Sequence, residues 1–246
     1  MQLLHIAMNR IKNEIEHFTK LEHIWWGAKT FSGQKRYDKR FVLFKKLCSP
    51  KKNKNILEIG CGDGEFTKRL IKLSSKIIAT DITPEVIRRA KKKYPKSKTI
   101  SFKVDDAENF SFKDNSFDIV CGISILHHVN YKKALKECFR VLKPGGKLFF
   151  SEPNYFNPII YLAIHTPWLR EKMEYSPDEV ALKRLEIDRI LKKTGFDNTK
   201  VYNYDFLHPS TPKNISSFIN SLSPILESIP GIREMSGSII LYAEKT

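Results

Sequence analysis

Cysteine is scarce in this chain and poorly placed for joint work. The four present, Cys48, Cys61, Cys121 and Cys138, are widely separated and none has C-x-x-C spacing, which argues against a metal site and against a disulfide framework. The expectation is reduced thiols and no bound metal. Acidic residues are also in short supply, 27 Asp and Glu against 43 Lys and Arg, for a net charge of +16. Such an excess suits nucleic acid, an anionic membrane face or acidic substrates. The lysines, however, fall in short runs such as Lys91-Lys92-Lys93, Lys132-Lys133 and Lys192-Lys193, without interleaved arginine and aromatics, and this pattern reads as solvated surface. Nucleic acid is therefore the less favoured partner. No apolar run approaches the roughly 18 residues that a membrane span needs, the start does not read as a signal peptide, and neither a Gly/Ser linker nor a repeat divides the chain. Together these absences point to one cytoplasmic domain over residues 1–246, and 41% hydrophobic residues suffice for a substantial core.

What is present concentrates in Ile56-Leu57-Glu58-Ile59-Gly60-Cys61-Gly62-Asp63-Gly64-Glu65-Phe66-Thr67, a buried strand, a glycine turn and a helix start. Glycines at alternate positions admit positive φ and remove the Cβ atoms that would hold a ligand away from the helix N-terminus. The spacing is G-x-G-x-G, not the G-x-G-x-x-G of dinucleotide sites, and no Gly-Lys-Ser/Thr follows as a triphosphate loop requires. A less phosphate-rich ligand is implied. Lys76 to Pro84 reads as a second short strand ending in Asp81, and an acid at that place lies beside the first turn, where its two oxygens suit the hydroxyls of an unphosphorylated ribose.

Further landmarks follow in order: Asp105-Asp106-Ala107-Glu108, Phe117-Asp118-Ile119-Val120 with Ile125-Leu126-His127-His128-Val129, and Arg140-Val141-Leu142-Lys143-Pro144-Gly145-Gly146. With the glycine turn and Asp81 they make the chain resemble the class I S-adenosylmethionine-dependent methyltransferases, closest to the small-molecule, type 11-like group, closely over about residues 50 to 152 and loosely elsewhere. The resemblance implies an α/β fold: a doubly wound, mostly parallel seven-stranded Rossmann-like sheet with an N-terminal helical cap (1–50), a cofactor-binding core (51–152), and a C-terminal half (153–246) with lid insertions after strands 5 and 6. It also implies S-adenosyl-L-methionine as cofactor. By this resemblance Gly60, Cys61, Gly62 and Gly64 line its methionine part and Glu58 fixes the loop and meets the amino group. Asp81 holds the ribose and Ile82 packs on the adenine. Asp105 or Asp106 accepts from the adenine amine beside the Ala107 backbone, and the Cys121 carbonyl faces the methionine ammonium. Arg36 or Arg40 pairs with the cofactor carboxylate or an anionic acceptor group.

Methyl transfer from a sulfonium is an in-line substitution that needs mainly alignment. A base is optional; His127, following strand four, is the first candidate and Glu152, following strand five, the second. Residues 1 to 24 alternate as an amphipathic helix, and Trp25 to Arg40 and Tyr155 to Met173 are expected to form a lid. Asp178 to Lys193 reads as a helix and Thr199 to Phe206 as a strand; prolines 209, 212, 224 and 230 punctuate a variable segment before the last strand. The lid aromatics suggest a partly apolar acceptor, a metabolite methylated on O, N or C. An RNA methyltransferase is favoured by charge alone, and no N/D-P-P-Y/F motif follows strand four. A catalytically silent binding module is disfavoured by the intact glycine loop and acids.

Overall fold

The computed structural model describes the chain apart from residues 1, 21–27, 51, 74, 96–97, 174 and 177–178, and only the backbone of 2–8 and 20. Trp25 and Trp26 thus lie outside the described residues. Helix α1 (Gln2–Lys20) is followed by α2 (Phe31–Cys48), which begins where the Thr30 hydroxyl accepts from the Gly33 N–H, an N-cap bond. Strand β1 (Asn55–Ile59) is buried over nearly its whole length, as a central parallel strand covered on both faces must be. Its side chains alternate: Leu57 and Ile59 enter the core on one face, Ile56 enters the other, and Glu58 shares the face of Ile56.

A single turn of helix, α3 (Thr67–Leu70), leads to β2 (Lys76–Asp81), α4 (Pro84–Lys93), β3 (Ile100–Val104), β4 (Phe117–Ile123), α5 (Tyr131–Val141) and β5 (Leu142–Pro153). Two helices, α6 (Pro158–His165) and α7 (Pro167–Lys172), stand between β5 and α8 (Arg184–Thr194). Then come β6 (Asp197–Tyr204), α9 (Lys213–Ser228) and β7 (Ser238–Lys245). The seven strands lie in the order β3-β2-β1-β4-β5-β7-β6. All pairings from β3 to β5 are parallel, while β7 runs antiparallel to both β5 and β6. Helices cover both faces. On one, Phe44 of α2 meets Phe66 and Phe149 edge-on, with ring centroids 5.9 and 5.5 Å away; on the other, Leu135 and Cys138 of α5 and Ile187 and Leu191 of α8 are buried. This is the doubly wound, mostly parallel seven-stranded fold expected, with insertions after strands 5 and 6.

Local departures have local causes. The helix after the glycine loop is one turn long, so it offers little of the dipole that the sequence suggested. Pro84 occupies the first turn of α4, but the Thr83 side chain makes no capping bond; its N–H donates to Asp81 instead. Strand β5 starts at Leu142, ahead of the Pro144-Gly145-Gly146 turn, because Leu142 already pairs with Phe117 across a register shift. The helix expected from Asp178 begins only at Arg184, since Leu182 is held extended in a bridge to Asn154. The proline-punctuated segment contains α9, with Pro212 at its N-cap and Pro224 inside it, at the expense of one helical hydrogen bond.

Candidate active site

The loop after β1 is built for close approach. Gly60, Gly62 and Gly64 have φ of +60°, +50° and +86°, and a Cβ on Gly60 would stand 2.6 Å from Ile125 Cγ1. A side chain there meets both backbone strain and a clash. Asp81 ties the loop to β2: one oxygen accepts the Gly62 N–H at 3.1 Å and the other the Thr83 N–H at 3.0 Å. Burial raises its pKa and these donors oppose the shift; each oxygen retains a lone pair for a further donor. Glu58, nearly inaccessible, accepts from the Thr67 hydroxyl at 2.6 Å, and burial pushes its carboxyl up to about 8.

Between the ends of β1, β2 and β4 lies a narrow cavity of about 50 Å³. Of the residues expected at a cofactor, Gly60, Asp81, Ile82, Asp105, Asp106 and Ala107 line it. Glu58, Cys61, Gly62, Gly64 and Cys121 do not; Glu58 and Cys121 are paired across β1 and β4. Asp105 is spent on Ser111, the Asp106 N–H and Lys103, whereas among the described residues only Oδ1 of Asp106 is engaged, by the Glu108 N–H. Asp106 is accordingly the better placed of the two to accept from a ligand. Helix α1 closes the outer wall through Arg10, Ile11, Glu14 and Phe18, a stripe that sequence reading treated as ordinary amphipathic packing. Arg10 pairs with Glu108 and donates to the His128 carbonyl.

After β4 the chain turns sharply at Ser124, φ +56°, into a short 3-10 turn, Leu126–His128. Glu152 fixes this turn. Its Oε1 accepts the N–H groups of Ile125 and Leu126 at 3.0 and 3.1 Å, and its Oε2 accepts from His127 Nδ1 at 2.7 Å. The other ring nitrogen of His127, Nε2, is 3.4 Å from Glu179 Oε1. Burial disfavours the imidazolium, but the hydrogen bonds and charges of Glu152 and Glu179 outweigh it and raise the pKa well above its ordinary range. His127 is therefore not a free base here, and Glu152 lines neither cavity. The general-base expectation for both meets this geometry: one is held by two carboxylates, the other caps a turn.

A second cavity, about 250 Å³, opens beyond the turn. Its walls include Ile159 and Ile160 of α6, Phe206 and Leu207 after β6, and the cations Arg36 and Arg40. Arg36, expected at the cofactor carboxylate or at an anionic acceptor group, stands in this second cavity, 3.0 Å from Asp205. Lys39 also pairs with Asp205. Arg40 is 4% exposed and donates only to the hydroxyls of Ser151 and Ser238 among the described residues. Glu14, Glu179 and His128 join the site unforeseen, because three separate segments carry them.

Residues 57–150 match the family described as a methyltransferase domain. The chain is 34% identical over 182 residues to the ubiquinone/menaquinone biosynthesis C-methyltransferase UbiE of Rickettsia prowazekii, a match covering 63% of this chain and 73% of that one. It is 30% identical over 146 residues to the ubiquinone biosynthesis O-methyltransferase of Nitrosococcus oceani, covering 58% and 62%. A solved structure of Haemonchus contortus phosphoethanolamine N-methyltransferase 2 in complex with S-adenosyl-L-methionine shares the fold with a TM-score of 0.64 at 18% identity, covering 93% of this chain and 60% of that one. The chain belongs to the class I S-adenosylmethionine-dependent methyltransferases, enzymes whose cofactor is S-adenosylmethionine. In three of the curated relatives the matched segment is 46%, 62% and 64% of the relative's length, so the chain spans about half to two thirds of them. No helix among the described residues is long and apolar enough to cross a membrane.

Proposed function

We propose that this protein, acting as one cytoplasmic domain, transfers a methyl group from S-adenosylmethionine to O, N or C of a small, partly apolar acceptor that carries an anionic group. The second cavity carries this reading: its walls join aliphatic and aromatic side chains to the arginines Arg36 and Arg40, with Glu179 as the carboxylate of the lining and Arg36 paired outside it with Asp205. A buried guanidinium with only neutral partners, such as Arg40, is poised for a carboxylate or phosphate.

The first cavity suits the cofactor by its donor set. Asp81 would hold the ribose hydroxyls and the uncommitted Asp106 oxygen the adenine amine, while Glu58 would oppose the amino group behind the glycine loop. When bound, the cofactor supplies an electrophilic methyl group on a sulfonium. The chain's own residues bind, orient and exclude water: α1 covers the first cavity, and the turn held by Glu152 forms the wall between the two. Holding both reactants in line can supply several kcal/mol, up to about 7–11 in ideal cases. His127 and Glu152 act by keeping that wall in place.

Incubation with methyl-labelled S-adenosylmethionine and fractionated metabolite extracts tests the proposal. Label should enter a small acidic molecule; incorporation confined to RNA would replace this reading with the nucleic-acid one, and none in any fraction would refute the acceptor class.

A further inference from the structure

We propose that His127, His128 and Glu179 form a three-ligand binding site for a first-row divalent cation of the Zn²⁺ or Mn²⁺ kind, on the wall shared by the two cavities, with Glu14 of the cap beside His128. The proposal rests on the methyltransferase reading above and deepens it, because such an ion would select acceptors that present an oxygen. The sparse cysteines argue only against a thiolate site; imidazole and carboxylate ligands lie outside that reasoning.

The geometry is that of a ligand set. Nε2 or Nδ1 of the two imidazoles and a carboxylate oxygen of Glu179 all lie within 4.8 Å of one another. His127 Nε2 is 3.4 Å from Glu179 Oε1, and His128 Nδ1 is 4.0 Å from Glu179 Oε2. Ligands about 2.0–2.2 Å from a common ion stand at such separations. His127 donates its other nitrogen, Nδ1, to Glu152 at 2.7 Å, the carboxylate–histidine arrangement that fixes the tautomer and turns the free lone pair toward a metal.

Two buried atoms point the same way. Glu14 is 4% exposed, and its Oε1 accepts from the Ser176 hydroxyl, but Oε2 has no hydrogen-bond partner among the described residues. His128 Nδ1 has none either, although the two atoms are 3.3 Å apart. The two atoms form an ion pair without a hydrogen bond; buried polar atoms lacking hydrogen bonds are costly, and a cation on His128 Nδ1 would satisfy that nitrogen and attract the Glu14 carboxylate. Charge balance agrees, since three buried carboxylates, Glu14, Glu152 and Glu179, surround two imidazoles. The neighbouring arginines are engaged elsewhere: Arg10 with Glu108 and the His128 carbonyl, Arg170 with the carbonyls of Ser176 and Glu179. Imidazole with carboxylate suits zinc, iron or manganese rather than a soft ion.

The site has a place in the chemistry. His127, His128 and Glu179 line the acceptor cavity, and His128 also lines the cofactor cavity. An acceptor hydroxyl on the ion's open position becomes more acidic and yields its proton to water in the chamber. The oxygen lone pair then forms the new C–O bond to the methyl carbon as the C–S bond breaks, its electron pair remaining on sulfur.

The test uses the tag-free full chain, treated with chelator and then titrated with Co²⁺ followed by absorption, and with Zn²⁺ in equilibrium dialysis with elemental analysis. One equivalent should bind with ligand-field bands. Glu179→Gln and His128→Asn should each weaken binding about 100-fold, and His165→Gln, outside both cavities, should not. Calorimetry with S-adenosylhomocysteine on the same preparations reports folding and the cofactor site independently. Glu179→Gln should retain that binding, and its loss from the unaltered protein would strike the methyltransferase reading instead. Less than a tenth of an equivalent of metal, or affinity indifferent to both variants, would overturn the site.

Discussion

The two ends of the reaction path are built by different means. Around the first cavity the surface is backbone and strand-end carboxylates: a loop in left-handed φ, and Asp81 and Asp106 at the ends of adjacent parallel strands. Around the second cavity, the proposed acceptor site, it is side chains from α2, α6, the turn after β4 and the segments after α7 and β6, brought together only by the finished fold. The first surface is a property of one sequence stretch; the second is a property of the tertiary structure. A family can therefore hold one cofactor while acceptors vary.

Substitutions that break this contrast differ in size. Asp81→Ala would remove the proposed ribose acceptor and the anchor of Gly62, and affinity for S-adenosylhomocysteine should fall by about 1.5–3 kcal/mol, at least tenfold, by calorimetry; unchanged affinity would move the ribose elsewhere. Gly60→Ala should destabilise the fold by about 1–3 kcal/mol, because its Cβ would lie 2.6 Å from Ile125 Cγ1. Gly231→Ala is the control, with φ +85° but nothing within 4 Å, and should cost about 1 kcal/mol from backbone alone. Equal losses of melting temperature would mean the contact with Ile125 yields without cost.

On the other side, Arg40→Met should raise the KM for an anionic acceptor about tenfold or more while changing cofactor affinity less than about twofold, since Arg40 lines only the second cavity. A matching loss of cofactor binding would merge the two surfaces. A pH effect at Glu58 probes the first surface in another way. Burial raises its carboxyl to about 8 against an ordinary 4.5, so the folded chain holds the proton more tightly than the unfolded one. Stability from the protonated form is complete below about 4.5, declines as pH rises and is gone above about 8. Glu58→Gln should flatten that part of a denaturation-midpoint profile, and an unaltered slope would assign it to another group. Cofactor binding near neutral pH should also release protons, seen as a buffer-dependent heat, because an ammonium beside Glu58 favours its ionised form.

The same contrast explains what the sequence disclosed. The doubly wound, mostly parallel sheet and the gathering of Gly60, Asp81, Ile82, Asp106 and Ala107 around one cavity were legible because a parallel βαβ unit places strand ends side by side whatever the side chains beyond them do. For Arg36 the sequence left two places open, and its partner Asp205, remote in sequence, holds it at the second cavity. His127 was read as a base from its position alone, since no local pattern discloses Glu152 and Glu179 on its two nitrogens. Glu14 had a faint signal, a charged residue in a helical stripe with Arg10 and Phe18, but helix periodicity cannot tell a buried carboxylate from a solvated one.

The place of β7 also bears on how the protein is made. It is the last of the seven strands to be synthesised, yet it lies inside the sheet between β5 and β6, buried along most of its length. Until it leaves the ribosome, the twelve-residue β5 presents an open edge, and β6 has no strand to join. Synthesis at about 5–20 residues per second leaves that edge uncovered for several seconds at least, a template for pairing with another nascent chain. The cofactor half can assemble early; the acceptor half must wait for its last strand, and that interval is where chaperones and translation rate should govern the yield of folded protein.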